Sequence, residues 1–170
     1  MAWYRDRAAL RLIALGYLPW LAGLNLAWEV SQLPLYTLWR EGSPTWIAFS
    51  VAHCTAGDVL IGASALAAAL VLTGAREIAR WRWGLIAAVA TVLGTVYTGF
   101  SEWVNAGLAQ NWQYTEHMPV LRVGPATVGL APLAQWLVLP ALALRLARTR
   151  AARPVGSPVA GGWRRSRGLR

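Results

Sequence analysis

The chain has 170 residues, of which 56% are hydrophobic and only 14% are charged, and its mean hydropathy is +0.40. A soluble domain carries about 25% charged residues, so the composition argues against a soluble domain and indicates a membrane protein. All the basic side chains behind the net charge of +9 are arginines, and a single cysteine excludes an internal disulfide.

The first predicted membrane span covers about residues 8–33 and follows three arginines, Arg5, Arg7 and Arg11. A signal peptide begins in a similar way. However, no pair of small residues that would mark a cleavage site follows the apolar run, so we predict a span that is retained. We expect this span to bend or end near Pro34.

Three further apolar segments exceed the ~20 residues that a helix needs to cross a hydrocarbon layer of ~30 Å. They cover about residues 46–73, 83–108 and 125–146. We therefore predict an all-α fold, an integral membrane four-helix bundle over residues 1–147. Residues 148–170 are rich in arginine, glycine and proline and predict a disordered cytoplasmic tail.

The arginines are distributed unevenly about the predicted spans. Fourteen lie in the N-terminal segment, in the connection between the second and third spans, or from Arg145 onward, whereas the other two connections hold only Arg40 and Arg122. Loops rich in arginine stay on the cytoplasmic side of a membrane. Both termini are therefore predicted to be cytoplasmic.

A polar stripe runs along the third predicted span. Thr91, Thr95, Thr98, Glu102 and Asn105 recur at steps of four, three, four and three, which places them on one face of a helix. The opposite faces then remain compatible with lipid. The stripe indicates that this span turns a polar surface toward its neighbours.

With this topology, every predicted span brings polar side chains to the outer half of the membrane. An acid at mid-membrane costs about 2.5–3.5 kcal/mol on insertion scales, so three acids in a small bundle need compensation. We expect them to be protonated, to be hydrogen-bonded to His53, Asn or Thr groups, or to surround a cation. The residues on which this argument depends are Asn25, Glu29, His53, Asp58, Glu102 and Gln135.

Two interpretations of these residues remain open, a functional site and hydrogen bonds that pair helices. In an enzyme, Glu29 and Glu102 would be the acid/base pair, and His53 and Asp58 a proton relay. The candidate catalytic residues are thus Glu29, His53, Asp58 and Glu102, and the candidate substrate-binding residues are Asn25, Asn105, Trp112, Tyr114, His117 and Gln135.

Each of these assignments has a plainer alternative. Trp112 and Tyr114 suit an aromatic belt at the membrane interface, and His117 suits a solvated loop. His53 and Cys54 carry metal-ligand chemistry, but adjacent residues face different directions on a helix. We therefore predict no metal site, and the sequence identifies no cofactor.

Four strings stand out in combination: NLAWEVSQLPLY (25–36), HCTAGDVLI (53–61), SEWVNAGLAQNWQYTEHMP (101–119) and GLAPLAQWLVLP (129–140). Together they resemble a family of small four-span bacterial inner-membrane proteins that has no assigned activity. The resemblance implies a location in the bacterial inner membrane and implies no mechanism.

The sequence favours a multi-pass inner-membrane protein with a periplasm-facing polar pocket that binds or acts on a small lipophilic or lipid-derived molecule. Two alternatives remain, a component of proton or solute transport and a structural subunit without catalytic activity. The sequence does not decide whether the protein is an enzyme. The predicted partners are membrane lipid and a lipophilic small molecule; nucleic acid is not a predicted partner, and an oligomer is compatible with the sequence.

Overall fold

The structure is a computed structural model that describes residues 2–124 and 126–151. Four of its helices are long and apolar enough to cross a membrane, which makes the chain a multi-pass membrane protein. Their bounds are Arg7–Leu35 (α1), Pro44–Leu72 (α2), Trp83–Leu108 (α3) and Leu130–Ala151 (α4).

Helix α1 is interrupted by one wide turn. It consists of α-helical turns over Arg7–Leu12, a π-helical turn over Ile13–Tyr17, a longer α-helical part over Leu18–Gln32 and a 3₁₀ turn over Leu33–Leu35. The wide turn lies directly before Pro19, whose ring nitrogen cannot donate the usual hydrogen bond to the preceding turn. The irregularity therefore lies where the sequence removes a backbone donor.

Helix α3 changes its winding directly after Glu102. It is α-helical over Trp83–Glu102 and π-helical over Trp103–Leu108, so Glu102 is the last residue of the regular part. Single π-helical turns often occur at functional sites.

The four helices pack as antiparallel neighbours, α1 and α3 each against both α2 and α4. Small residues permit close approach: Gly16 of α1 lies against Ala147, and Gly94 of α3 lies against the ring of Trp136. One half of the assembly is almost entirely apolar inside. Its largest buried side chains are Tyr17, Leu21, Leu66, Leu70 and Ile86.

The two described ends of the chain lie at the same end of the helices. The backbone N–H of Ile78, in the connection between α2 and α3, donates to Oδ2 of Asp6 over 2.8 Å. The guanidinium of Arg148 near the end of α4 lies 5.0 Å from the ring centre of Trp83 at the start of α3. We call this the arginine-rich end. Two short 3₁₀ turns, Trp3–Arg5 and Ile78–Arg80, also belong to it.

The opposite end contains a short helix, Leu38–Glu41, and a β-hairpin formed by Val120–Val123 (β1) and Ala126–Gly129 (β2). The strands are antiparallel, with Val120 paired to Gly129, and Gly124 supplies a positive φ of 57° in the turn. The connection between α1 and α2 and the connection between α3 and α4 thus lie at this end of the helices.

The hairpin changes two boundaries that the sequence analysis predicts. The stretch 109–124 between the third and fourth predicted spans contains β1. The fourth helix begins at Leu130 rather than at about residue 125, because β-branched residues pair as β2. At its other end, α4 continues to Ala151, so residues 148–151 are helical. The rest of the predicted tail lies outside the described residues.

Candidate functional site

A group of hydrogen-bonded polar side chains joins α1, α2 and α4 in the half of the assembly farther from the arginine-rich end. Gln135 of α4 lies at its centre: its Nε2 donates to Oδ1 of Asn25 over 2.7 Å and to Oδ2 of Asp58 over 2.9 Å. The same nitrogen lies 3.5 Å from Oε1 of Glu29. One amide thus contacts three separate side chains from two other helices.

We call Asn25, Glu29, Gln32, Asp58 and Gln135 the polar cluster. Asn25 and Gln135 are only 1% and 2% exposed, although both are strongly polar. Asn25 satisfies its own donor locally by bonding the carbonyl oxygen of Leu21 over 2.8 Å, which leaves its carbonyl oxygen for Gln135. Burial of such groups is tolerated because they hydrogen-bond to one another.

Two carboxyl groups meet inside the polar cluster. Gln135 Nε2 lies 3.5 Å from Oε1 of Glu29 on α1 and 2.9 Å from Oδ2 of Asp58 on α2, and Gln32 Nε2 donates to Glu29 Oε1 over 2.9 Å. Two carboxylates in one buried site repel each other, so their joint burial is costly unless other groups compensate for it.

Glu102 forms a second group just beyond the polar cluster. Its side chain is 5% exposed and accepts a hydrogen bond from the hydroxyl of Tyr114. The same hydroxyl accepts the backbone N–H of Gly129 over 3.0 Å, which ties the loop after α3 to the end of β2. Glu102 also interacts electrostatically with Glu29, so the two groups are neighbours.

Tyr114 lies outside the helices that can cross a membrane. Burial, followed by the neighbouring Glu102, raises its pKa above the ordinary value of about 10. The phenol is therefore protonated throughout the physiological range, and it acts as a donor to Glu102.

Two connections contact each other at the end of the helices opposite the arginine-rich end, next to these groups. Tyr36, directly after α1, forms an isolated antiparallel bridge with Tyr114, and the two rings lie 5.7 Å apart. Thr37 N donates to the carbonyl of Gln113 over 3.0 Å, and Thr115 N donates to the carbonyl of Leu35 over 2.9 Å. We call this contact the tyrosine bridge.

An apolar groove of about 690 Å³ runs between the outer parts of α1 and α2. On α1, the groove residues Leu26, Val30 and Leu33 directly follow Asn25, Glu29 and Gln32, so adjoining faces of one helix line the groove and the polar cluster. Groove and cluster thus share the same two helices. The other lining residues are Trp39, Gly42, Pro44, Ile47, Ala48, Val51 and Ala52.

The structure brings together most of the site residues that the sequence predicts. Five of them, Asn25, Glu29, Asp58, Glu102 and Gln135, lie in the polar cluster or beside it, and Tyr114 bonds Glu102. Trp112 lies near Glu102, but its buried indole nitrogen has no hydrogen-bond partner among the described residues.

Three predicted residues lie elsewhere. His53 is exposed on α2, where it stacks on Phe49 with ring centres 5.7 Å apart. Asn105 bonds the Ser101 carbonyl over 2.9 Å and accepts a bond from Asn111 over 2.7 Å, so it closes the end of α3. Neither residue contacts the acids through a hydrogen bond.

His117 is exposed and lies 3.3 Å from Oε1 of Glu116. Glu116 in turn lies 3.4 Å from Arg40, and its own backbone N–H, then Arg40, lowers the pKa of its carboxyl. The three residues form a surface group that joins the two outer connections. Its bonds are separate from those of the polar cluster.

Two residues of the site, Gln32 and Tyr36, are not among the candidate catalytic or substrate-binding residues that the sequence predicts. A signal for both was present. Asn25, Glu29, Gln32 and Tyr36 recur at steps of four, three and four, the same spacing that reveals the stripe on α3. Tyr36 lies just beyond the end of α1, but it continues the direction of that stripe.

Among the residues that the structure describes, no three or more His, Cys, Asp or Glu side chains are grouped so that they could hold a metal ion. Cys54 is half-buried and interacts electrostatically with Glu29, Asp58 and Glu102, but it is a free thiol.

Comparison with known proteins assigns no family or activity. No family model, curated protein or solved structure matches this chain. The four long apolar helices fit the four-span description that the sequence strings imply, and they identify the chain as a multi-pass membrane protein.

Proposed function

We propose that the protein resides in the bacterial inner membrane and binds a small lipophilic molecule at the polar cluster, from the periplasmic half of the bilayer. The observation that carries this proposal is the position of Gln135, which joins Asn25 and Asp58 from two other helices beside a groove of about 690 Å³. That volume lies within the range of small-molecule sites. Buried acids in membrane-crossing helices are expensive, and they commonly mark functional sites.

The arginine distribution supports the orientation within this proposal. Within the described residues, nine arginines lie at the arginine-rich end, and only Arg40 and Arg122 lie at the opposite end. The positive-inside rule then puts both termini in the cytoplasm and the tyrosine bridge on the periplasmic side. In this orientation the groove opens toward the outer leaflet.

Within this site, we assign distinct roles to the acids. The Glu29 and Asp58 carboxyl groups accept hydrogen bonds from the polar part of the ligand, while Gln135 fixes the spacing of the helices around it. Glu102, held by Tyr114, belongs to the outer wall. His53 has no place in this arrangement, because it is exposed on another face of α2.

Native mass spectrometry of the purified full chain tests the proposal. We expect a bound lipophilic species with the natural sequence, its loss in the Glu29→Gln/Asp58→Asn variant and its retention in Glu41→Gln, which removes an exposed acid outside the spans. A spectrum with only bulk phospholipid, equal in all three proteins, would contradict the proposal.

A second candidate is proton transfer across the membrane. The position of the Glu29 and Asp58 carboxyl groups around one amide nitrogen favours it, because intramembrane acids commonly form proton relays. Proteoliposomes that contain a pH-sensitive dye distinguish the two functions. A proton flux that follows an imposed potential and is lost in Asp58→Asn supports transport. Vesicles that leak no faster than protein-free vesicles exclude it.

A further inference from the structure

The site that the proposed function identifies has acids but no base at the same depth. On α4, Arg145 follows Gln135 by ten residues, which is about 15 Å along a helix. On α1, Arg11 precedes Asn25 by fourteen residues, or about 21 Å. Within the described helices, therefore, no arginine reaches the level of the polar cluster from the cytoplasmic side.

The two arginines at the opposite end do not supply the missing charge. Arg40 contacts Glu116 on the surface over 3.4 Å, and the side chains of both residues are more than half exposed. Arg122 is exposed in β1. His53 stacks on Phe49 on the outer face of α2. The site thus contains Glu29, Asp58 and Glu102 without a cationic partner among these side chains.

The site also contains a hydrogen-bond acceptor that has no donor. The carbonyl oxygen of Gln32 is buried without a hydrogen-bond partner, in a residue that is only 6% exposed. The other end of this amide donates to Glu29, so the side chain lies in the cluster. The Nε2 of Gln135 already contacts Asn25 and Asp58. The site therefore has a free acceptor, and a ligand that donates hydrogen bonds would complement it.

A metal ion is not the cation that this arrangement favours. A metal ion needs several ligands around one point, and no such group is present among the described residues. The Glu29 and Asp58 carboxyl groups belong to one cluster, while Glu102 is held separately by Tyr114. Acceptors that are spread in this way suit a group with several N–H bonds that point in different directions.

We propose that the ligand is a lipophilic molecule with a protonated primary amine, whose ammonium group contacts Glu29, Asp58 and the free oxygen of Gln32, and whose apolar body lies in the groove between α1 and α2. The inference rests on the proposed function and names its ligand class. Complementary charge determines where the polar end of the ligand binds. The apolar side chains of Leu26, Val30 and Val51, which line the groove, determine where its apolar end binds.

Four probes with the same twelve-carbon tail test the inference on the unmodified full chain in nanodiscs: dodecylamine, dodecyltrimethylammonium, dodecanol and dodecanoate. Tryptophan fluorescence or the thermal midpoint reports binding. We expect dodecylamine to bind about tenfold or more tightly than dodecanol, because a charge-assisted hydrogen bond is the stronger kind. Dodecyltrimethylammonium carries the charge without N–H donors, so it should bind more weakly than dodecylamine.

Equal binding of dodecylamine and dodecanol, or tighter binding of dodecanoate, would overturn the amine assignment while the proposed function stands. Equal binding of the two cationic probes would overturn the role of Gln32. A complete lack of saturable binding by all four probes would instead overturn the proposed function. Different results would thus contradict the ligand class and the proposed function.

A variant series locates the site. The Gln32→Leu variant should weaken dodecylamine binding about tenfold and dodecanol binding by a smaller factor, because an ammonium group forms the stronger bond to the lost oxygen, while the exposed Glu41→Gln serves as control. An unchanged affinity for dodecylamine in Gln32→Leu would place the amine elsewhere. Because the probe comparison uses the natural sequence, it decides the ligand class even if a variant fails to fold.

A primary amine also occurs in the headgroup of phosphatidylethanolamine, so the source of the amine needs its own comparison. Dodecylamine binding is measured in nanodiscs of phosphatidylcholine and in nanodiscs that contain phosphatidylethanolamine. Competition in the second membrane identifies the lipid headgroup as the ligand. Unchanged binding identifies a free lipophilic amine.

Discussion

The hydroxyl group of Tyr114 donates a hydrogen bond to the buried carboxyl group of Glu102 and accepts one from the backbone N–H of Gly129. Through this one oxygen atom, the loop after α3 is attached both to the end of α3 and to the start of α4. The contact orders a connection of about twenty residues that contains only the short strands β1 and β2.

Replacement of Tyr114 by Phe should lower the free energy of unfolding by about 1–3 kcal/mol, because it leaves a buried carboxyl group and a backbone donor without partners. Tyr97→Phe is the matched control, since Tyr97 is 51% exposed on α3, the helix that carries Glu102. Equilibrium unfolding in mixed micelles provides the measurement. Equal effects of the two substitutions would mean that the Tyr114 hydroxyl does not stabilise the fold.

Gln135→Met tests the centre of the polar cluster. It keeps the length of the side chain but removes both N–H donors, so Asn25 and Asp58 lose a partner. Hydrogen bonds between membrane helices average about 0.6 kcal/mol and reach about 1.7 kcal/mol, and we expect a loss near the upper value. Leu137→Met, at a position that is 58% exposed, controls for the new side chain. A loss no larger than that of the control would contradict a stabilising role.

The bond between Asp6 and Ile78 predicts a dependence on pH at the arginine-rich end. The N–H of Ile78, followed by that of Ala8, lowers the pKa of Asp6 below its ordinary value of 3.8. A carboxyl group with a lowered pKa stabilises the folded state above its unfolded value and loses this contribution as the pH falls through the folded value. Thermal midpoints from pH 7 down to pH 3 should therefore approach those of a variant without the carboxylate.

Two variants separate the bonds that Asp6 accepts. Asp6→Asn retains one acceptor for the N–H of Ala8 but loses the second oxygen that binds Ile78. Asp6→Ala removes both. We expect the midpoint at pH 7 to fall in the order natural sequence, Asn, Ala. If Asn and the natural sequence share one pH profile, the bond to Ile78 contributes nothing measurable.

Gly94→Ala should destabilise the packing of α3 on α4. A Cβ atom at this position would overlap the six-membered ring of Trp136, which is rigid and only 2% exposed. Overpacking of this kind costs about 1–3 kcal/mol. Gly84→Ala lies in the same helix with nothing within 4 Å of the added atom, so it should be neutral or slightly stabilising. The same unfolding assay measures both, and a neutral Gly94→Ala would show that the two helices can move apart at little cost.

Helix positions follow closely from sequence because their causes are local. Long apolar runs separated by Pro34 and by arginine clusters predict four spans, and the stripe from Thr91 to Glu102 predicts which face of α3 is turned inward. Glu102 is indeed buried. The same reasoning reaches Asn25, Glu29, Asp58 and Gln135, since polar groups in apolar helices turn toward one another.

The remaining features depend on contacts between distant parts of the chain. Val120–Val123 pairs with Ala126–Gly129 in a short hairpin, although the second segment continues directly into an apolar helix and looks like its first turn. His53 lies on the same helix as Asp58, but a difference of five residues turns its side chain away from the cluster. Tyr36 and Tyr114 meet because the connection after α1 contacts the connection after α3, and no local sequence pattern predicts that contact.

The tyrosine bridge also bears on how a molecule arrives at the polar cluster. From the aqueous side, entry requires the separation of Tyr36 from Tyr114 and the loss of the backbone bonds beside them. Sideways entry between α1 and α2 breaks none of those bonds, because the groove already lies on that side. The proposed lipophilic ligand, dissolved among acyl chains, therefore has the shorter path to the polar cluster. We expect lateral diffusion within the lipid, rather than diffusion through water, to govern its rate of binding.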